Sequence, residues 1–188
     1  MLDNNICKKT KIISIILLFL YLIYYSLIIS WIKFMHSEIN IYSVVGIFVP
    51  FILFLLITYG LFKTSGLISK KYITINLILI ILPVLISFGL VVYNEAESKF
   101  NYEKWIGKQD KRVWMVDDLL EKHKILNMSK DDIIKLLGKP SDTQYFKEVD
   151  NIVYYLGAER GLVRIDSEWL VIWFDEKDTA IDIKIMRD

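Results

Sequence analysis

The chain has 188 residues, 54% of them hydrophobic and 24% charged, with a formal net charge of +1 and a mean hydropathy of +0.40. The length leaves room for one or two domains, the single cysteine excludes an internal disulfide, and no basic stripe of the kind nucleic acid requires is present. The apolar content is high for a soluble protein while the charge is near the soluble average. Dividing the chain near Tyr93 resolves the conflict. Before it stand seven Lys and two acids, Asp3 and Glu38; from Asn94 onward sixteen Lys and Arg face twenty acids.

The first part contains three apolar runs without a charged residue, at about 12–32, 39–62 and 72–93. Each exceeds the roughly 20 residues that cross a bilayer as a helix, and in lipid the backbone must satisfy its own hydrogen bonds, so helices are expected. The first run follows Lys8, Lys9 and Lys11. Its apolar core is longer than that of a signal peptide and no small-residue cleavage site follows, so it reads as an uncleaved anchor. Cys7 precedes the apolar segment, unlike a lipoprotein cysteine, and reads as a bystander near the membrane surface.

Lys8, Lys9 and Lys11 before the first run, and Lys63, Lys70 and Lys71 between the second and third, mark the cytoplasmic side. The first connection carries only Lys33, with His36 and Glu38. Three crossings then place everything after Tyr93 outside the cytoplasmic membrane. Trp31, Tyr72 and Tyr93 fall where interfacial aromatics are expected. Asn76 is the most polar deep residue, Ser26 and Ser30 have small-xxx-small spacing for helix packing, and Pro50 and Pro83 suggest kinks. Without ionisable residues the spans read as an anchor rather than a transport path.

Residues 94–109 read as a polar linker, and a compact domain is expected over 110–188. Val113, Val116, Leu119, Leu120, His123 and Leu126 recur at helical steps and predict an amphipathic helix. "MSKDDIIKLLGKP" (128–140) carries a full set of helix signals. Ser129 is an N-cap with Asp132 three residues on, and Met128 and Ile133 are placed as a hydrophobic staple. Asp131 and Asp132 favour the positive end of the helix dipole. Gly138 and Pro140 terminate the helix, which is predicted from 130 to 137 with Ile133, Leu136 and Leu137 buried.

Strand patterns follow at 143–146, 152–157, 168–174 and 180–186, with a hairpin turn at 175–178. In the last, Ile181, Ile183 and Ile185 are expected inward. The fold class is therefore α+β: three N-terminal membrane helices, then a two-layer domain of two short helices packed on an antiparallel β-sheet. If Leu170, Ile172 and Phe174 face the helices, Trp169, Val171 and Trp173 face away, joined by Tyr154 or Tyr155. These five, Tyr154, Tyr155, Trp169, Val171 and Trp173, are the candidate partner-binding residues, because clustered Trp and Tyr favour protein partners. The alternative is that a linker, a membrane helix or a second copy covers them.

Met128-Ser129, Ile133-Ile134 and Leu136-Leu137-Gly138-Lys139-Pro140, followed by "YYLG" (154–157) and "WLVIWFDEKDTAIDIKI" (169–185), resemble the BamE (SmpA/OmlA) domain, a fold shared with β-lactamase inhibitory protein. The resemblance covers 110–188. Asn127 stands where that family usually has Gly, and three membrane helices stand in place of a lipid anchor. The resemblance implies a non-enzymatic domain that binds proteins at an envelope surface, and the inhibitor relative binds through its sheet face.

No cofactor or catalytic motif is found. His123 fits its helix stripe, no zinc spacing or nucleophile elbow is present, Asp117, Asp118 and Glu121 read as a solvated face, and Asp175, Glu176 and Asp178 lack the calcium-loop pattern. The expected partners are the lipid bilayer and another envelope or membrane protein, with a homo-oligomer possible and nucleic acid excluded. The competing readings are a membrane-embedded transporter or enzyme component and an extracellular signal receiver.

Overall fold

The computed structural model describes residues 4–65 and 70–188, and their side chains apart from 4–7, 62, 64, 65 and 70–76. Cys7, Lys70, Lys71, Tyr72 and Asn76 therefore lie outside the described side chains. The chain forms two compact units, Met1–Glu95 and Ala96–Asp188.

The first unit is helical: α1 (Asn4–Met35), α2 (Ile41–Ser65) and α3 (Lys70–Ser98), the last running into the second unit. Stretches Lys8–Met35, Ile41–Leu61 and Leu77–Ser98 are long and apolar enough to cross a membrane. The second begins two residues later than the apolar run because Asn40 caps it, accepting from the Ser43 amide at 2.9 Å. Around the C-terminal end of α1, the buried Asn94 donates to the carbonyls of Ile32 (3.2 Å) and Ser37 (3.1 Å).

Two of the helices of this unit contain a proline, Pro50 in α2 and Pro83 in α3. Pro50 has no N–H, so the Gly46 carbonyl four residues earlier loses its helical donor. The Tyr24 hydroxyl donates to it at 2.7 Å, and the neighbouring Tyr25 hydroxyl donates to Ile47 O at 2.5 Å. In α3 the Tyr21 hydroxyl donates to Ile80 O at 2.7 Å, in the turn preceding Pro83. Three tyrosines of α1 thus donate to carbonyls of α2 and α3, and of these the Gly46 carbonyl, without a helical donor, would cost several kcal/mol unpaired in hydrocarbon. The same rings pack: Tyr21 lies 4.6 Å from Tyr25 and 4.4 Å from Phe54, centroid to centroid. Ser26 and Ser30 do not form the expected packing stripe. Both are exposed, and the Ser30 hydroxyl bonds back to Ser26 O, because the bulky Tyr21 and Tyr25 take the packed face instead.

The second unit contains α4 (Tyr102–Gly107), a 3-10 turn (Gln109–Lys111), α5 (Arg112–Lys122), α6 (Lys130–Leu137) and strands β1 (Asn151–Ala158), β2 (Ser167–Phe174) and β3 (Ala180–Arg187). The strands form one antiparallel sheet in the order β1-β2-β3. Trp105, Val116, Leu119, Ile133 and Leu137 share one hydrophobic cluster with Tyr154, Leu156, Leu170, Ile172 and Phe174.

Several expectations change here. Residues 94–109 are not a linker: α3 continues to Ser98, and α4 buries Trp105 completely, its indole N–H donating to Leu137 O at 3.0 Å. The amphipathic helix ends at Lys122, where His123 turns extended. Helical spacing therefore stops setting the faces, so Ile125 enters the core and Leu126 is half exposed. Residues 143–146 form no strand; Phe146 has φ +55, incompatible with extended pairing. Ile181 is exposed because the β2–β3 register passes from Trp173↔Asp182 to Phe174↔Ala180, leaving Ile181 as the bulged residue.

The 128–140 element folds as read. Ser129 accepts from the Asp132 amide at 3.2 Å, and its hydroxyl donates to the Asp132 carboxylate at 2.8 Å. Its entrance is pinned to the β2–β3 turn by Asn127 N to Ala180 O (2.8 Å), Ala180 N to Met128 O (2.9 Å) and Lys130 N to Asp178 O (2.9 Å). Asn127 has φ +69, a conformation Asn tolerates better than most side chains. Gly138 has φ +76 and sits so close to Ile106 that a Cβ would collide with it.

Candidate functional site

Alternation along the central strand creates two buried faces. Leu170, Ile172 and Phe174 join the helices' cluster, and Trp169 and Val171 form a second one with Val153. Tyr155, Trp173, Phe146 and Met186 pack against it. Four of the five candidate residues, Tyr155, Trp169, Val171 and Trp173, are therefore brought together. Tyr154 is not. It alternates with Tyr155 and lies fully buried on the helix side, its hydroxyl donating to Gly138 O at 2.9 Å. Burial pushes that phenol's pKa well above its ordinary value, so it stays neutral there.

The second face is roofed by the chain's own segment between α6 and β1. Ser141 anchors this segment to the outer edge of β1: its amide donates to Val153 O and its hydroxyl accepts from the Tyr155 amide, both at 2.8 Å. The buried Asn151 fixes the far end, donating to Phe146 O at 2.8 Å and accepting from the Glu148 amide at 3.0 Å. Tyr145 stacks on Trp169 at 5.4 Å and 24°, and Tyr155 meets Trp169 edge-on at 5.0 Å. The Trp173 indole donates to Glu148 at 2.8 Å, with Lys184 over its ring. The cover seen within this unit is thus the segment between α6 and β1. No pattern in 143–150 announces this role, since the roof is held by single side-chain bonds rather than by a periodic element.

The closure is incomplete in its polar accounting. Trp169 is 8% exposed, and its Nε1–H is buried without an acceptor, a loss of about 1–3 kcal/mol. Beside it lies an open cleft of about 530 Å³ lined by Gln109, Arg112, Lys139, Ser141, Thr143 and Tyr145 among others.

Buried Glu168 meets Arg160 at 2.9 Å and Arg187 at 3.3 Å, tying the β1–β2 loop to β3. His123 packs edge-on against Phe100 at 5.4 Å. Among the described residues no three His, Cys, Asp or Glu side chains converge in a way that could hold a metal ion. The β1–β2 loop exposes Leu162, Val163 and Ile165. No protein-family model matches the chain, and no curated protein or solved structure does either.

Proposed function

We propose that this is an integral protein of the cytoplasmic membrane, its N-terminus inside. It displays a non-enzymatic protein-interaction domain outside, as a scaffold or accessory subunit of an envelope process. The observation that carries the reading is the aromatic second face of the sheet. A domain of this size needs one core, yet this one keeps a second cluster of Trp and Tyr under a single loop, with an indole donor left over. The uncharged apolar stretches of the three helices favour an anchor over a conduction path.

The helix-then-sheet order supports a two-layer BamE-like arrangement for the second unit. So does the positive φ of Asn127 at the position where that element usually has Gly. The Lys8, Lys9, Lys11 and Lys63 side chains support the inside assignment for the N-terminus. The reading is tested by affinity purification after crosslinking in native membranes, comparing the natural chain with a Trp169→Ala/Trp173→Ala variant. Loss of the captured proteins from a variant that still folds is the expected result. A folded variant that retains every one of them overturns the assignment of this face.

A further inference from the structure

Arg112 is the most deeply buried cation of the second unit, at 2% exposure. Its Nε donates to Trp105 O at 2.7 Å, its Nη1 to Tyr155 O at 3.3 Å, and the guanidinium lies 4.9 Å from the Trp105 ring centre. None of these partners is an anion, and among the described residues no carboxylate comes within 4.0 Å of it. Arg160, half-buried, is by contrast paired with both Glu168 and Asp117. A buried charge without a counter-charge is costly, and Arg cannot relieve that cost by losing its proton.

Two of the five guanidinium donors are used, and the group lines the cleft below Ser141 and Thr143. The cleft's other charges are Lys139 and Asp142, so its net charge with Arg112 is +1. That balance suits one carboxylate; a phosphate dianion would remain under-neutralised. Tyr145, Tyr155 and Trp169 supply an aromatic wall for an apolar side chain next to the carboxylate.

We propose that this cleft binds a carboxylate presented by an extended peptide segment of a partner protein, with Arg112 as the principal ligand and Lys139 at the rim. The inference rests on the second unit being a protein-interaction domain and names the chemistry that the unit would recognise.

The test uses the full chain in detergent and follows tryptophan emission during titration. The probes are N-acetyl-Gly-Gly-Phe as the free acid, its C-terminal amide and inorganic phosphate. The acid is expected to bind about tenfold or more tightly than the amide, since charge-assisted hydrogen bonds are lost on amidation. Lys139→Glu, an exposed change that leaves the core untouched, should weaken the acid by about fivefold. Arg112→Lys should abolish the acid–amide difference. Equal binding of acid and amide, tighter binding of phosphate than of the acid, no binding by any probe, or indifference to Lys139→Glu would each overturn the proposal. Such a failure leaves the crosslinking result unaffected, so the two readings fall separately.

Discussion

The two units differ in how completely they match their buried polar groups. In the helical unit Ser14, Tyr21, Tyr24, Tyr25, Thr58, Ser87 and Asn94 all donate to backbone carbonyls of the same unit. In the α+β unit side chains such as Trp105 and Tyr154 also serve carbonyls, but charged pairs join separate elements, as at Glu168 and Asp117, and two buried donors, Arg112 and Trp169, are left incompletely matched. A medium without water forces a polar group to be settled locally. A unit bathed in water can hold some back for a ligand. Under the proposed function, this contrast is what an anchor followed by a recognition domain would show.

The strongest way to break that contrast is to destroy one unit alone. Gly157 has φ +126, and a Cβ there would collide with the Asp110 backbone. Leu156 before it is the extra residue of a bulge between Tyr155↔Trp169 and Gly157↔Glu168. Gly157→Ala combines backbone strain with overpacking and should cost about 3 kcal/mol or more. Denaturant titration in detergent should show loss of the α+β transition with the helical signal of the first unit retained.

A smaller effect tests the proline accounting. Tyr24→Phe leaves Gly46 O without its donor and should cost about 1.5 kcal/mol. In a Pro50→Ala background, where residue 50 regains its N–H, the same change should cost close to nothing. A double-mutant cycle in micelles reads the difference directly, and equal costs in both backgrounds would show that the hydroxyl is not serving the proline gap.

The smallest effect concerns Asp118. Burial raises its carboxyl pKa, but hydrogen bonds from Lys122 and the Phe100 amide, with the charges of Lys122 and Lys99, outweigh it and hold the group below the usual carboxylate range. A lowered folded value means that the stabilisation is present above the unfolded value, near pH 4, and is lost as pH falls through the folded one. Asp118→Asn should therefore lower stability at pH 7 by about 1 kcal/mol and flatten its decline below about pH 4. An unchanged acid limb would remove Asp118 from the contacts that hold Phe100 and the end of α3.

Local signals in the sequence carried far where they were self-contained. The helix at 130–137 was legible because its cap, first-turn acids and terminating glycine lie within one decapeptide, and the apolar spans because length alone decides them. The division of β2 into two faces followed from its period. What escaped depends on long-range contact. Trp105 looks like a linker aromatic until Leu137 O is seen to accept from it. Ile181 alternates correctly in sequence but is displaced by a bulge. Tyr154 and Tyr155 are indistinguishable until the register places them on opposite faces. The roof over 169–173 and the unpaired Arg112 carry no periodic signature at all.

The division of labour is tested most directly by site-specific photocrosslinking in native membranes. One photoreactive residue replaces Tyr145 at the rim of the cleft, and another replaces Leu56, exposed on α2. Discrete protein adducts from position 145 and lipid adducts alone from position 56 are the expected result. Protein adducts from position 56 with none from position 145 would contradict it, and would move recognition into the membrane helices.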